Sequence, residues 1–130
     1  MCEHEVKASA LMLTYNHEQF IGRAIEGFLM QRTRFPCELV IAEDCSTDRT
    51  REIIREYSQK HPDRIRVLLN RHNIGARRTI VRGYDACRGQ YVAFTDGDDY
   101  WTCPDKLQRQ VDLLDRRPDC AMCFHSVTVV

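Results

Sequence analysis

The sequence contains no G-x-G-x-x-G and no G-x-x-x-x-G-K-[ST]. A nucleotide bound here would therefore not have its phosphates cradled by a glycine loop at a helix N-terminus. Six glycines and four prolines in 130 residues form no linker, repeat or low-complexity tract, so residues 1–130 are read as a single domain. Net charge is absent as well: 19 basic and 19 acidic residues balance. Such a chain has no long-range field drawing it to nucleic acid or anionic lipid, and no nucleic-acid partner is expected. No run approaches the roughly 18 apolar residues of a membrane span. The opening Met1-Cys2-Glu3-His4-Glu5 lacks the apolar core of a secretory leader. A cytoplasmic, reducing location follows, where seven cysteines stay as thiols. They lack metal-finger spacing, and Cys120 and Cys123 lie three apart in what reads as a strand, facing opposite sides. No structural zinc is expected. Lysine is scarce, three against sixteen arginines. The arginine fork matches phosphate and carboxylate, although a compositional habit of the genome would give the same excess.

What is present is an alternation of short apolar runs and amphipathic stretches. Strands are predicted at 8–14, 38–42, 65–69, 90–95 and 121–130. Helices are predicted at 19–31, 48–60 and 76–87, with a fourth opening at Thr102 and Pro104. Asn16 with Gln19 reads as a capping box for the first helix, and Ser46 or Thr47 as the cap of the second. The third helix shows Ile80, Val81 and Tyr84 on one side and stops at Gly89. This order predicts an α/β fold with a mostly parallel central sheet covered on both faces. Ligands bind such sheets at the carboxyl ends of the strands. That rule selects the loops at Tyr15-Asn16-His17, Glu43 to Thr47, and Asp96 to Tyr100.

Asp96-Gly97-Asp98-Asp99 puts three carboxylates into four residues directly after a strand. Such mutually repelling acids are tolerable on a solvated loop or around a cation, and hard oxygen ligands suit Mg²⁺ or Mn²⁺. Gly97 lets the backbone approach a ligand closely. An acidic turn without a ligand is the plain alternative. Glu43 and Asp44 could accept hydrogen bonds from a base or from ribose hydroxyls, or Asp44 could cap a helix. Arg71, Arg77, Arg78, Arg82 and Arg88 cluster around the third helix, as diphosphate contacts or as a solvated face. Tyr15 could stack on a base or simply pack.

Four segments in order carry a family resemblance: Leu13-Thr14-Tyr15-Asn16-His17, the stretch from Glu38 to Thr50, Asn73-Ile74-Gly75 with the arginine pair, and Arg88 to Trp101 around Asp96-Gly97-Asp98. The whole chain resembles the N-terminal, nucleotide-sugar-binding half of family 2 glycosyltransferases of the Rossmann-like GT-A fold. The resemblance implies nucleobase contacts at Thr14, Tyr15 and Asp44, with Asn16, Glu43 and Gly97 also in the nucleotide-sugar site. Arg77 or Arg78 would contact base or diphosphate, Asp96 ribose or the metal, and Asp98 the metal. The implied partners are a UDP- or dTDP-type sugar and a sugar or glycan acceptor, the cofactor is Mg²⁺ or Mn²⁺, and the setting is cell-envelope polysaccharide synthesis. Transfer would be metal-dependent and inverting. In this family the general base lies beyond the D-x-D, in an acceptor-binding half that these residues lack, so no catalytic base is assigned. Sugar transfer by these residues alone is not expected. A non-catalytic nucleotide-binding module and a nucleotidyltransferase stand as alternatives. Peripheral membrane attachment is left open, as is a homodimer through the apolar final strand.

Overall fold

A computed structural model describes residues 6–130; the polar opening read above as no leader, Met1 to Glu5, lies outside the described residues. Eight elements alternate: β1 (Ala8–Thr14), α1 (Ile21–Leu29), β2 (Cys37–Glu43), α2 (Thr50–Lys60), β3 (Ile65–Leu69), α3 (Ala76–Ala86), β4 (Tyr91–Asp96) and α4 (Lys106–Arg116). The strands form one parallel sheet in the order β3-β2-β1-β4. The expected parallel α/β architecture is what forms.

The alternation of side chains along a strand divides the core in two. Ala10 and Met12 of β1 and Leu39 and Ile41 of β2 face α1, α2 and α4, meeting Ile21, Ile25, Phe28, Ile54 and Leu107. Leu11, Val40 and Ala42 face the opposite side, against Ala86 and Cys87. Two buried faces explain why β1 and β2 read as unbroken apolar runs. On that second face α3 buries Thr79 and Gly83, not the side expected from its periodicity. Val81 and Tyr84 are exposed, and Tyr84 pairs with Phe94 at 5.1 Å between ring centroids. Gly83 is the reason: a Cβ there would lie 2.5 Å from Leu11 Cδ1, so a residue without one brings the helix onto the sheet.

Several local expectations are corrected. No side-chain cap bond serves α1, α2 or α4, and α4 starts at Lys106, two residues beyond Pro104. The loop donors ahead of α1 and α2 are served partly across loops and partly by Asp48 along the chain. Asp48 accepts from the Glu18 N–H at 3.1 Å and from the Thr50 N–H at 2.9 Å, while Glu18 accepts from the Arg49 N–H at 3.1 Å. Residues 121–130 form no strand. A strand exists only through a ladder to a neighbour, and this segment pairs with none of the described residues; Phe124 is 94% and Val129 92% exposed. No described helix is long and apolar enough to cross a membrane.

Candidate functional site

The strand order turns back at β1, so the loops after β1, β2 and β4 open at one edge. Register fixes this closely: Thr14 lies opposite Glu43, and Leu13 opposite Asp96. The connection into α3 joins them. The result is a cleft of about 400 Å³ lined by Leu13, Tyr15, His17, Asp44, Asn73, Gly75, Ala76 and Asp96. Tyr15, Asp44 and Asp96, far apart in sequence, share one opening.

The walls are held by hydrogen bonds between loops. Asn16 and Cys45 both adopt left-handed backbone, at φ 53° and 60°. Asn16 Oδ1 accepts from the Thr47 N–H at 2.8 Å, and the Asn16 N–H donates to Ser46 Oγ at 2.9 Å. Glu43 is fully buried; its carboxylate accepts from Arg51 and from the Cys45 and Ser46 N–H groups. Both residues were expected at the nucleotide. Glu43 is turned inward and anchors the loop, while Asn16 stays exposed and ties the first loop to Ser46 and Thr47.

Asp44 is 3% exposed and closes the side toward α3. Its carboxylate accepts from Asn70 Nδ2 at 3.0 Å and from the Ile74 and Gly75 N–H groups at 2.8 and 2.9 Å. Burial alone would raise its pKa; these donors outweigh burial and hold it below the usual carboxylate value. Asp44 is thus an anion at neutral pH, set at the cleft wall. Arg77 and Arg78 stand exposed in the first turn of α3 and do not line the cleft.

The acid loop closes the other side. One carboxylate oxygen each of Asp96, Asp98 and Asp99 lies within 4.8 Å of the others. Burial, then the charges of Asp98 and Asp99, push the Asp96 pKa up, as expected of acids crowded together without a counter-charge. Gly97 is buried in the turn and donates its N–H to Leu13 O at 2.8 Å. A Cβ there would fall 2.5 Å from Thr14 Oγ1 and 2.8 Å from His17 Nδ1. The glycine therefore lets the acid loop lie against β1. Three converging oxygen donors, one already destabilised as an anion, fit Mg²⁺ or Mn²⁺.

His17 was not singled out from the sequence. It lines the cleft, sits 3.0 Å from Thr14 Oγ1 through Nδ1, and faces Asp98 Oδ2 at 3.8 Å through Nε2. Only its place in a loop at a strand's carboxyl end signalled it.

The family model described as Glycosyl transferase family 2 matches residues 9–128. An uncharacterized protein of Mycobacterium tuberculosis is 46% identical over 122 residues, covering 94% of this chain and 35% of its own length. An uncharacterized glycosyltransferase of Nostoc is 34% identical over 125 residues, covering 96% of this chain and 38% of its own. Among solved structures, Staphylococcus aureus TarS in complex with UDP-GlcNAc superposes with a TM-score of 0.76 at 28% identity, covering 87% of this chain and 32% of that one. The chain spans about a third of the length of the relatives it matches.

Proposed function

This chain belongs to glycosyl transferase family 2 and has the GT-A fold, and from that premise we propose that it is the donor-binding part of a metal-dependent, inverting glycosyltransferase. The observation that carries this reading is the meeting of Tyr15, Asp44 and the Asp96 loop in one cleft at the carboxyl ends of parallel strands. The family supports a nucleotide-sugar donor, and the solved relative holds UDP-GlcNAc.

In this reading the base lies against the exposed Tyr15 ring and turns an N–H donor toward the Asp44 side of the cleft. Asp96 and Asp98 hold the divalent ion, with Asp99 beside them. That ion, when bound, neutralises diphosphate charge and so stabilises the leaving group. Thr14 and Asn16 act from behind, keeping the first loop in place. Arg77 and Arg78 stand close to the cleft in sequence, next to Ala76, and reach diphosphate only if their side chains swing inward. Transfer forms a bond from an acceptor hydroxyl oxygen to the anomeric carbon while the bond to the diphosphate oxygen breaks. The diphosphate keeps the electron pair, and the acceptor proton passes to a base outside these residues. The seven cysteines favour a reducing, cytoplasmic site for this chemistry.

Calorimetry with UDP tests the proposal. Binding should appear with Mn²⁺ and fall in EDTA; equal affinity with and without the ion would contradict the assignment of the acid loop.

A further inference from the structure

Thr14 at the end of β1, His17 in the loop after it and Asp98 in the loop after β4 form a line from the buried end of β1 to the acid cluster. Thr14 is fully buried. Its hydroxyl has one side-chain partner among the described residues, His17 Nδ1, at 3.0 Å. A buried hydroxyl proton needs an acceptor, and Nδ1 is the acceptor available. With Thr14 as the donor, Nδ1 accepts. In a neutral imidazole the other nitrogen then carries the proton. That nitrogen, Nε2, faces Asp98 Oδ2 at 3.8 Å.

The backbone that carries the ring is held on both sides. The His17 N–H donates to Thr50 Oγ1 at 2.9 Å, and its carbonyl accepts from the Phe20 and Ile21 N–H groups at 2.9 and 2.8 Å. The side chain is 23% exposed, whereas that of Asp98 is 51% exposed. A distance of 3.8 Å exceeds a hydrogen bond, and Asp98 is the partner with room to close it. Gly97 leaves the space between Thr14 and His17 open, since a Cβ would intrude on both.

We propose that His17 is a positioning residue for the cation site: its Nε2–H, set by the Thr14 hydroxyl, holds one oxygen of Asp98 so that the other points at the ion. The inference rests on the acid loop being a divalent-cation site, as argued above. It goes further in assigning an outer hydrogen-bond partner to a ligand. Such partners orient ligating groups, and their loss typically lowers metal affinity about 10- to 100-fold.

The test is Mn²⁺ binding to the intact chain, followed by the loss of the free-ion electron paramagnetic resonance signal, for wild type, H17L, H17Q and T14V. Thermal unfolding of each variant in EDTA reports folding. Gln keeps an N–H donor near the place of Nε2; Leu keeps bulk without one. H17L should bind Mn²⁺ at least about tenfold more weakly, while H17Q stays near wild type. T14V, which no longer selects the tautomer, should fall between them. H17L binding as wild type would overturn the proposal, and so would equal losses in H17L and H17Q, which would mean that only ring packing matters. Should H17L fail to fold, T14V decides, and unchanged affinity there overturns the proposal. A wild-type chain that binds no Mn²⁺ would instead remove the cation site itself, and this inference with it.

Discussion

At the scale of single residues, the acid loop is governed by one missing Cβ. Placing a methyl group at Gly97 sets it 2.5 Å from Thr14 Oγ1, in a corner with no spare volume. Gly97→Ala should cost about 1–3 kcal/mol in thermal unfolding and weaken Mn²⁺-dependent UDP binding, because the loop must back away from β1. Asp98→Asn should weaken metal-dependent UDP binding in calorimetry, while Asp112→Asn should leave it unchanged. Asp112 sits on α4 beside Arg34 and Gln108, outside the cleft. The acid loop was readable in the sequence because three carboxylates, Asp96, Asp98 and Asp99, stand within four residues and need no tertiary contact to be noticed. His17 was not, since its meaning comes from Thr14 and from a carboxylate in a loop after another strand. The inward turn of Glu43, which anchors the Cys45 and Ser46 N–H groups, was not legible for a related reason. A polar residue in a strand-end loop looks the same in sequence whether it turns to a ligand or to an N–H group of the next loop.

At the scale of elements, two devices position the site from a distance. The first is the fit of α3 to the sheet at Gly83. Leu11 is fully buried there, and Ala42 Cβ lies 3.3 Å from the place a Cβ would take. Gly83→Val should destabilise the fold by about 1–3 kcal/mol, seen as a lowered unfolding midpoint. The second is a buried ion cluster at the amino end of β2. Glu38 is 2% exposed and accepts from Ser9 Oγ at 2.8 Å, Arg66 at 3.1 Å and Arg88 at 2.8 Å. Burial would raise its pKa, but the donors of Arg88, Ser9 and Arg66 prevail and bring it from 4.5 to about 2. Because the folded-state value lies below the unfolded one, this stabilisation is complete above about pH 4.5 and is lost as pH falls toward 2. The difference corresponds to about 3 kcal/mol. Denaturant unfolding across that range should show the loss, and Glu38→Gln should flatten it. The strands and the four helices were legible from periodicity, yet the caps were not. The Glu18 and Arg49 N–H groups are served across loops by Asp48 and Glu18, and a capping rule looks only along the chain. The segment 121–130 has the composition of a strand, but composition cannot supply the neighbouring ladder a strand requires.

For the whole molecule, the order β3-β2-β1-β4 converts four weak sequence signals into one cleft. The β1, β2 and β4 loops and the start of α3 meet there because parallel strands send their carboxyl ends to the same edge. A second hollow, about 260 Å³ and lined by Leu69, Asn70, Arg71, His72, Ile74 and Arg82, opens beside β3, on the far side of Asp44 from the acid loop. The central claim is that nucleotide and cation occupy the first of these two. A crystal structure of the chain with UDP and Mn²⁺ tests it most directly. The account predicts the uracil between Tyr15 and Asp44 and the ion on Asp96 and Asp98; UDP in the arginine-lined hollow, or Mn²⁺ away from the acid loop, would contradict it.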